Sequence, residues 1–314
     1  MKRNLADVLR RGILSTLANW PVILTRVAET LVLFGAVVLA IIGIVVPLLV
    51  SAGMSEWTLP AGMNPGDVVL RILADHAELF AYLFLFICAI GLVMVAIHAF
   101  VSAGSTRIFV DADRAVPDVA DPRREQFAAF TLERWLDGAR AAWLRFFWIY
   151  NATWGLYGLI LIVPTLIFGL LMAAAFAAQS TGGIVAATCL GVVLLVGVAV
   201  VFAFVIGIWT QKAVVVCVAR DVPARDALRE GWAEVRGDFL RHFLIYLLIT
   251  VISGGVGALT SSLFTPFSIG LRVNNFWSLF TGPVQLASFA AQSAIGSAVG
   301  LWLIACYAAM TDGH

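Results

Sequence analysis

The sequence predicts an all-α protein, a polytopic transmembrane helical bundle of six spans with cytoplasmic interfacial amphipathic helices. Three observations carry this reading: an apolar composition, long runs without a charge, and a one-sided distribution of arginine. The chain has 314 residues, 61% of them hydrophobic and 12% charged, and its mean hydropathy is +0.98. A soluble domain carries about a quarter of its residues as Asp, Glu, Lys and Arg, so half that share cannot coat a water-facing globule. The formal net charge of +1 points neither to nucleic acid nor to an acidic partner. Cys88, Cys189, Cys217 and Cys306 sit in or beside apolar runs, at no metal-site or redox spacing, and read as small buried hydrophobes.

A helix needs about 20 apolar residues to cross the hydrocarbon core. The first charge-free run covers 26 residues between Glu29 and Glu56, and the second covers 28 between Glu78 and Arg107. They place spans over 31–50 and 79–103. The run from Arg145 to Lys212 holds 66 residues, too many for one span, and divides at the turn-forming Gln179-Ser180-Thr181-Gly182-Gly183. Spans near 146–178 and 184–211 result, and two more follow near 243–264 and 283–310. The absence of period-two alternation disfavours a β-barrel. Pro47 and Pro164 predict kinks in the first and third spans. Lys2 and Arg3 precede an apolar run longer than a signal peptide's core of about 7–15 residues, so the first span reads as an anchor. In the first outer loop, Asn64-Pro65-Gly66-Asp67 predicts a turn ahead of a short helix over 68–73.

Orientation follows from lysine and arginine. The N-terminal segment, the loop between spans two and three, and the loop between spans four and five hold eighteen of the 20 basic residues, leaving Arg71 and Arg272 opposite. That bias puts both termini and these loops in the cytoplasm. Preference for arginine over lysine fits a GC-rich bacterial genome, so the expected location is a bacterial inner membrane, as a multi-pass protein.

Each cytoplasmic segment carries an amphipathic stretch that runs into the next span. In the first, Leu5, Val8, Leu9, Gly12, Ile13 and Leu17 oppose Asp7, Arg10 and Arg11. In the second, Leu132, Trp135, Leu136, Ala139, Ala142 and Trp143 oppose Glu133, Arg134, Asp137 and Arg140. In the third, with Pro223 in its first turn, Ala224, Ala227, Leu228, Gly231 and Val235 oppose Arg225, Arg229 and Arg236. Such helices are expected in the membrane interface, with their arginines near lipid phosphates. Aligning Gly12, Gly138 and Gly231 puts Leu9, Trp135 and Leu228 three residues earlier and Trp20, Phe146 and Phe239 eight later, at offsets of 126 and 93 residues. Two readings account for these columns. One is a threefold helix-hairpin pseudo-repeat over 4–103, 128–218 and 223–310 within a single domain, 1–314. The other is the common look of any cytoplasmic helix that enters a membrane.

The stretch 222–237 places Pro223, then Ala227-Leu228-Arg229-Glu230-Gly231-Trp232 and a later Gly237, ahead of an apolar span. It resembles a broad bacterial family of integral membrane proteins: the membrane domain appended to some glycerophosphodiester phosphodiesterases, and its stand-alone relatives. In that family a small hydroxyl residue usually stands where this chain has Gly231. The six-span layout with intervening amphipathic helices is also similar. The resemblance implies a helical membrane module without an established activity of its own, and the phosphodiesterase domain has no counterpart here.

Ionisable groups inside a membrane mark function by default. The spans hold essentially one, His98, and a lone histidine near a helix end is more often a packing residue than a ligand. Arg26 and Glu29, at i and i+3 at the mouth of span one, read as a helix-surface pair worth about a few tenths of a kcal/mol; a proton relay through Glu29 is the sharper alternative. The loop from Asp111 to Glu125 reads as solvated rather than as a cation site. No histidine pair has metal-ligand spacing and no nucleophile elbow occurs, so no metal, no cofactor and no catalytic residue is expected, and the protein reads as no enzyme. Asn151, Gln211, Gln285 and Gln292 are the polar intramembrane candidates, either helix glue or the lining of a transport path. Trp135, Trp143 and Trp232 on the interfacial helices, and Phe276, Trp277 and Phe280 in the last outer loop, are candidate contacts for lipid or a partner. The shared stripe predicts that Trp135 and Trp143 dock onto the spans. The expected function is therefore non-enzymatic: a subunit or organiser that binds other membrane proteins, further copies of itself, or lipids of the bilayer, and no nucleic acid. The alternative is a transporter or lipid-translocating protein.

Overall fold

In hydrocarbon no water satisfies a backbone N–H or C=O, so a chain this apolar closes its hydrogen bonds within helices. The computed structural model describes residues 3–51, 77–116, 122–178, 181–273 and 281–311. Those residues form eight α-helices, one short 3-10 turn at Arg124–Phe127, and no strand. The helices are α1 (Leu5–Ala18), α2 (Pro21–Ser51), α3 (Ala77–Ala115), α4 (Leu132–Ala177), α5 (Thr181–Ala219), α6 (Ala224–Gly237), α7 (Phe239–Val273) and α8 (Thr281–Ala309). Six of them, α2, α3, α4, α5, α7 and α8, are long and apolar enough to cross a membrane. The protein is a multi-pass, all-α helical bundle. The predicted outer helix over 68–73 and the aromatic loop with Phe276, Trp277 and Phe280 lie outside the described residues.

The helices outrun the charge-free stretches. α4 has 46 residues, about 69 Å at about 1.5 Å per residue, against a hydrocarbon core of about 30 Å. Its opening turns are the second amphipathic stretch, continuous with the span. Thr131 caps it, its side chain accepting from the Arg134 N–H at 3.2 Å, as Asn4 caps α1 through the Asp7 N–H at 2.8 Å. Neither Pro47 nor Pro164 ends its helix.

The chain divides into two compact units, one over Val27–His98 and the other comprising the remainder. In the larger unit the three aligned glycines share one situation. A Cβ on Gly12 of α1 would stand 3.0 Å from Trp302 Cδ1 and 3.2 Å from the Cys306 nitrogen of α8; one on Gly138 of α4 would stand 2.5 Å from Arg107 Cβ of α3; one on Gly231 of α6 would stand 2.8 Å from Ala213 Cα of α5. Each glycine thus lets a helix lie against the end of a span. Two of these seams also share a hydrogen bond. The Trp209 indole donates to the Leu228 carbonyl at 2.8 Å, and the Trp302 indole, 93 residues on, donates to the Leu9 carbonyl at 3.1 Å. In the third seam the tryptophan comes from the opposite side. Trp135, in the column of Leu9 and Leu228, packs against Gly104 of α3, where a Cβ would stand 2.8 Å from its Cε2.

The same columns carry two helix breaks. α1 ends at Asn19, whose N–H donates to the Ser15 carbonyl, and α6 ends at Asp238, whose N–H donates to the Glu234 carbonyl. Arg145 occupies that column in α4, which runs straight through. One face assignment is corrected by the structure. Arg11, expected on the solvent face of α1, is 4% exposed, while Leu5, Ile13 and Leu17 face outward. Its charge is met inside: Nε donates to Asp113 Oδ1 at 3.0 Å, Nη2 to the Val116 carbonyl at 3.0 Å, and the guanidinium lies 5.2 Å from the Phe127 ring centroid.

Candidate functional site

Where α3 and α4 approach each other beside the end of α5, they leave a cavity of about 380 Å³. Six charged residues line it: Arg107 and Asp111 of α3, Arg134, Asp137 and Arg145 of α4, and Asp221 in the turn after α5. Gly138, Ala142 and Cys217 are among its remaining lining residues. The helical spacing of each segment explains the set. Residues three or four apart share a helix face, so Arg134, Asp137, Ala141 and Arg145 descend one side of α4, and Arg107 with Asp111 one side of α3. Asp221 reaches in from a residue at φ 53°, a left-handed conformation that Asp tolerates better than most residues.

Four of the six charges are paired. Arg107 Nε donates to Asp111 Oδ2 at 2.9 Å, and Arg145 Nη1 to Asp221 Oδ1 at 2.6 Å. The hydrogen bond from Arg145 holds the Asp221 carboxyl below its usual range. Among the described residues Arg134 and Asp137 form no ion pair; Arg134 Nη1 makes a long hydrogen bond, 3.4 Å, to the Ala129 carbonyl.

Two other polar clusters are closed. Lys212, 0% exposed near the end of α5, pairs with Glu234 Oε2 at 2.7 Å and donates to Thr311 Oγ1 at 2.8 Å. Arg220 bridges Glu230, at 2.6 Å, and Glu234, and the Glu230 hydrogen bond raises its pKa further. Arg3 Nη1 donates to Asp113 Oδ2 at 2.8 Å and to the Ala309 carbonyl at 2.7 Å. With Arg11 on the other oxygen of Asp113, that carboxylate fastens α1 to the end of α3. In the smaller unit His98 Nδ1 and Glu29 Oε1 stand 2.6 Å apart, a hydrogen-bond contact between two spans.

The sequence candidates disperse. Trp135 is buried, edge-on to Phe100 with centroids 5.9 Å apart. Trp143, predicted to dock with it, remains 37% exposed, because α4 turns that part of the stripe outward. Trp232 is 40% exposed, with its ring against Trp209. Asn151 bonds back to the Phe147 carbonyl at 2.7 Å, Gln292 reaches Ser288 and Ser261, Gln285 is exposed, and Gln211 Oε1 is buried without a hydrogen bond among the described residues. The cleft escaped sequence reading. Its charges come from three separate segments, where the arginines oriented the chain, Arg134 and Asp137 marked a polar helix face and Asp111 fell in a loop read as solvated; the i, i+4 pair Arg107/Asp111 was the available signal. Among the described residues no three His, Cys, Asp or Glu side chains gather as a metal site. Compared with known proteins, the chain matches no family model, no curated protein and no solved structure.

Proposed function

We propose that this multi-pass protein is a non-enzymatic component of a bacterial inner membrane, binding lipids or other membrane proteins from its cytoplasmic side. In this reading it is built from three successive helix-hairpin repeats with both termini in the cytoplasm. The charged cleft carries the proposal. It is an open polar site at the arginine-rich ends of α3, α4 and α5, and it lies next to outward-facing Leu144 and Trp148 of α4. A site of that kind meets a membrane constituent at the level where headgroup and chain meet. The one-sided distribution of arginine supports the orientation. The resemblance to a membrane module without its own activity supports the non-enzymatic role.

Purification in mild detergent, followed by mass spectrometry of everything retained, tests it. A lipid or membrane protein at stoichiometric amounts is the expected result. The Glu29–His98 pair favours one second reading, a proton-coupled transporter. A preparation that retains nothing, yet moves protons in proteoliposomes until Glu29→Gln is introduced, would replace the first reading with the second.

A further inference from the structure

The three seams differ in one respect that narrows the ligand, given the binding function proposed above. Beside the α5–α6 seam, Lys212 and Arg220 are matched with Glu230 and Glu234. Beside the α8–α1 seam, Arg3 and Arg11 converge on Asp113. The α3–α4 seam departs from both: its tryptophan sits on the other side, its helix has no break, and it holds the open cleft.

Inside that cleft Arg107–Asp111 and Arg145–Asp221 neutralise each other. Arg134 and Asp137 are left, one cation and one anion three residues apart on α4. At that spacing their Cβ atoms lie about 5–6 Å apart. A ligand that answers both must carry an anion and a cation a few atoms from each other. We propose that the cleft binds a phosphate–primary-ammonium zwitterion, the chemistry of an ethanolamine phospholipid headgroup, with the phosphate on Arg134 and the ammonium on Asp137. A primary ammonium has N–H donors for carboxylates, whereas a quaternary one is held by aromatic faces, and among the described residues no aromatic one lines the cleft. A purely anionic headgroup gains Arg134 but meets Asp137 without compensation. The bilayer is the source the geometry favours. From Ala141, on the cleft wall, an exposed line continues along α4 through Leu144, Trp148, Ala152 and Gly155, a track for an acyl chain.

The full-length chain, stripped of lipid in mild detergent, is titrated with phosphatidylethanolamine, phosphatidylglycerol, phosphatidylcholine or soluble phosphoethanolamine. Native mass spectrometry counts the bound molecules and thermal unfolding reports the fold. The parent should retain one phosphatidylethanolamine per chain, at least tenfold more tightly than the other two lipids. Arg134→Gln with Asp137→Asn should lose at least tenfold in that affinity with the lipid-free melting temperature unchanged, since both side chains are exposed. Asp137→Asn alone should move the preference toward phosphatidylglycerol, a shift that a merely structural role would not produce. Equal retention of all three lipids, or a double variant that keeps the parent's preference, overturns the site. Soluble phosphoethanolamine binding as tightly as the lipid sustains the zwitterion chemistry and overturns the bilayer as its source. Retention of some other lipid or a protein, without this selectivity, sinks the headgroup assignment and leaves the broader binding function standing; retention of nothing sinks both.

Discussion

At Gly231 the backbone of α6 lies against Ala213, and a Cβ there would fall 2.9 Å from the Ala213 nitrogen. Main-chain atoms of a span cannot swing aside as a flexible side chain can. Gly231→Val should therefore destabilise the protein by about 1–3 kcal/mol or more, the range for overpacked sites. Gly158→Ala serves as the counterpart. Nothing lies within 4 Å of its Cβ position, so removing a helical glycine should stabilise by about 0.5–1 kcal/mol. Thermal unfolding in detergent reads both, and a neutral Gly231→Val would mean that α6 does not seat on α5.

Seams act at the scale of elements, and their hydrogen bonds give a contrast among three tryptophans. Trp209 and Trp302 each donate to a carbonyl of the facing helix, so Trp209→Phe and Trp302→Phe should each cost about 0.5–1.5 kcal/mol for the lost bond, besides any loss of packing. Among the described residues the buried Trp135 indole N–H has no hydrogen-bond partner, so Trp135→Phe should cost less than either. Similar losses for all three, measured by denaturation in detergent, would count against the exchanged geometry of the third seam. Sequence and structure part company at this scale. The six spans were legible, because a run of 26 or 28 uncharged residues has few alternatives to a membrane helix. The helix breaks at Asn19 and Asp238 were passed over although stop signals stand there, Asn19 with Pro21 two residues on and Gly237 just before Asp238, because the apolar pattern resumes at once on the far side. Arg11 misled, because its neutralising partner Asp113 is 102 residues away. Glu29 and His98 each read as ordinary alone; their partnership spans 69 residues.

For the whole molecule, the arginine distribution predicts sidedness. In a cysteine-free background Gly182→Cys, exposed at the start of α5, should react with a membrane-impermeant thiol reagent applied to intact cells. Asp226→Cys, exposed on α6, should react only after the cells are opened. Labelling of position 226 from outside would invert the proposed orientation. It would also place the charged cleft, flanked by the turn after α5, on the outer face.

The α8–α1 seam has a consequence for how the protein is made. Gly12 and Leu9 meet Cys306 and Trp302, so α1 has as its partner a span 293 residues later in the chain. Until α8 is inserted, the Val8–Gly12 face has no protein surface to cover it and must wait against lipid headgroups or a chaperone. The two other seams close as synthesis proceeds, each between neighbours in the chain. Two of the three seams thus close in sequence, and the third closes across 293 residues, which makes the docking of α1 a report that α8 is in place.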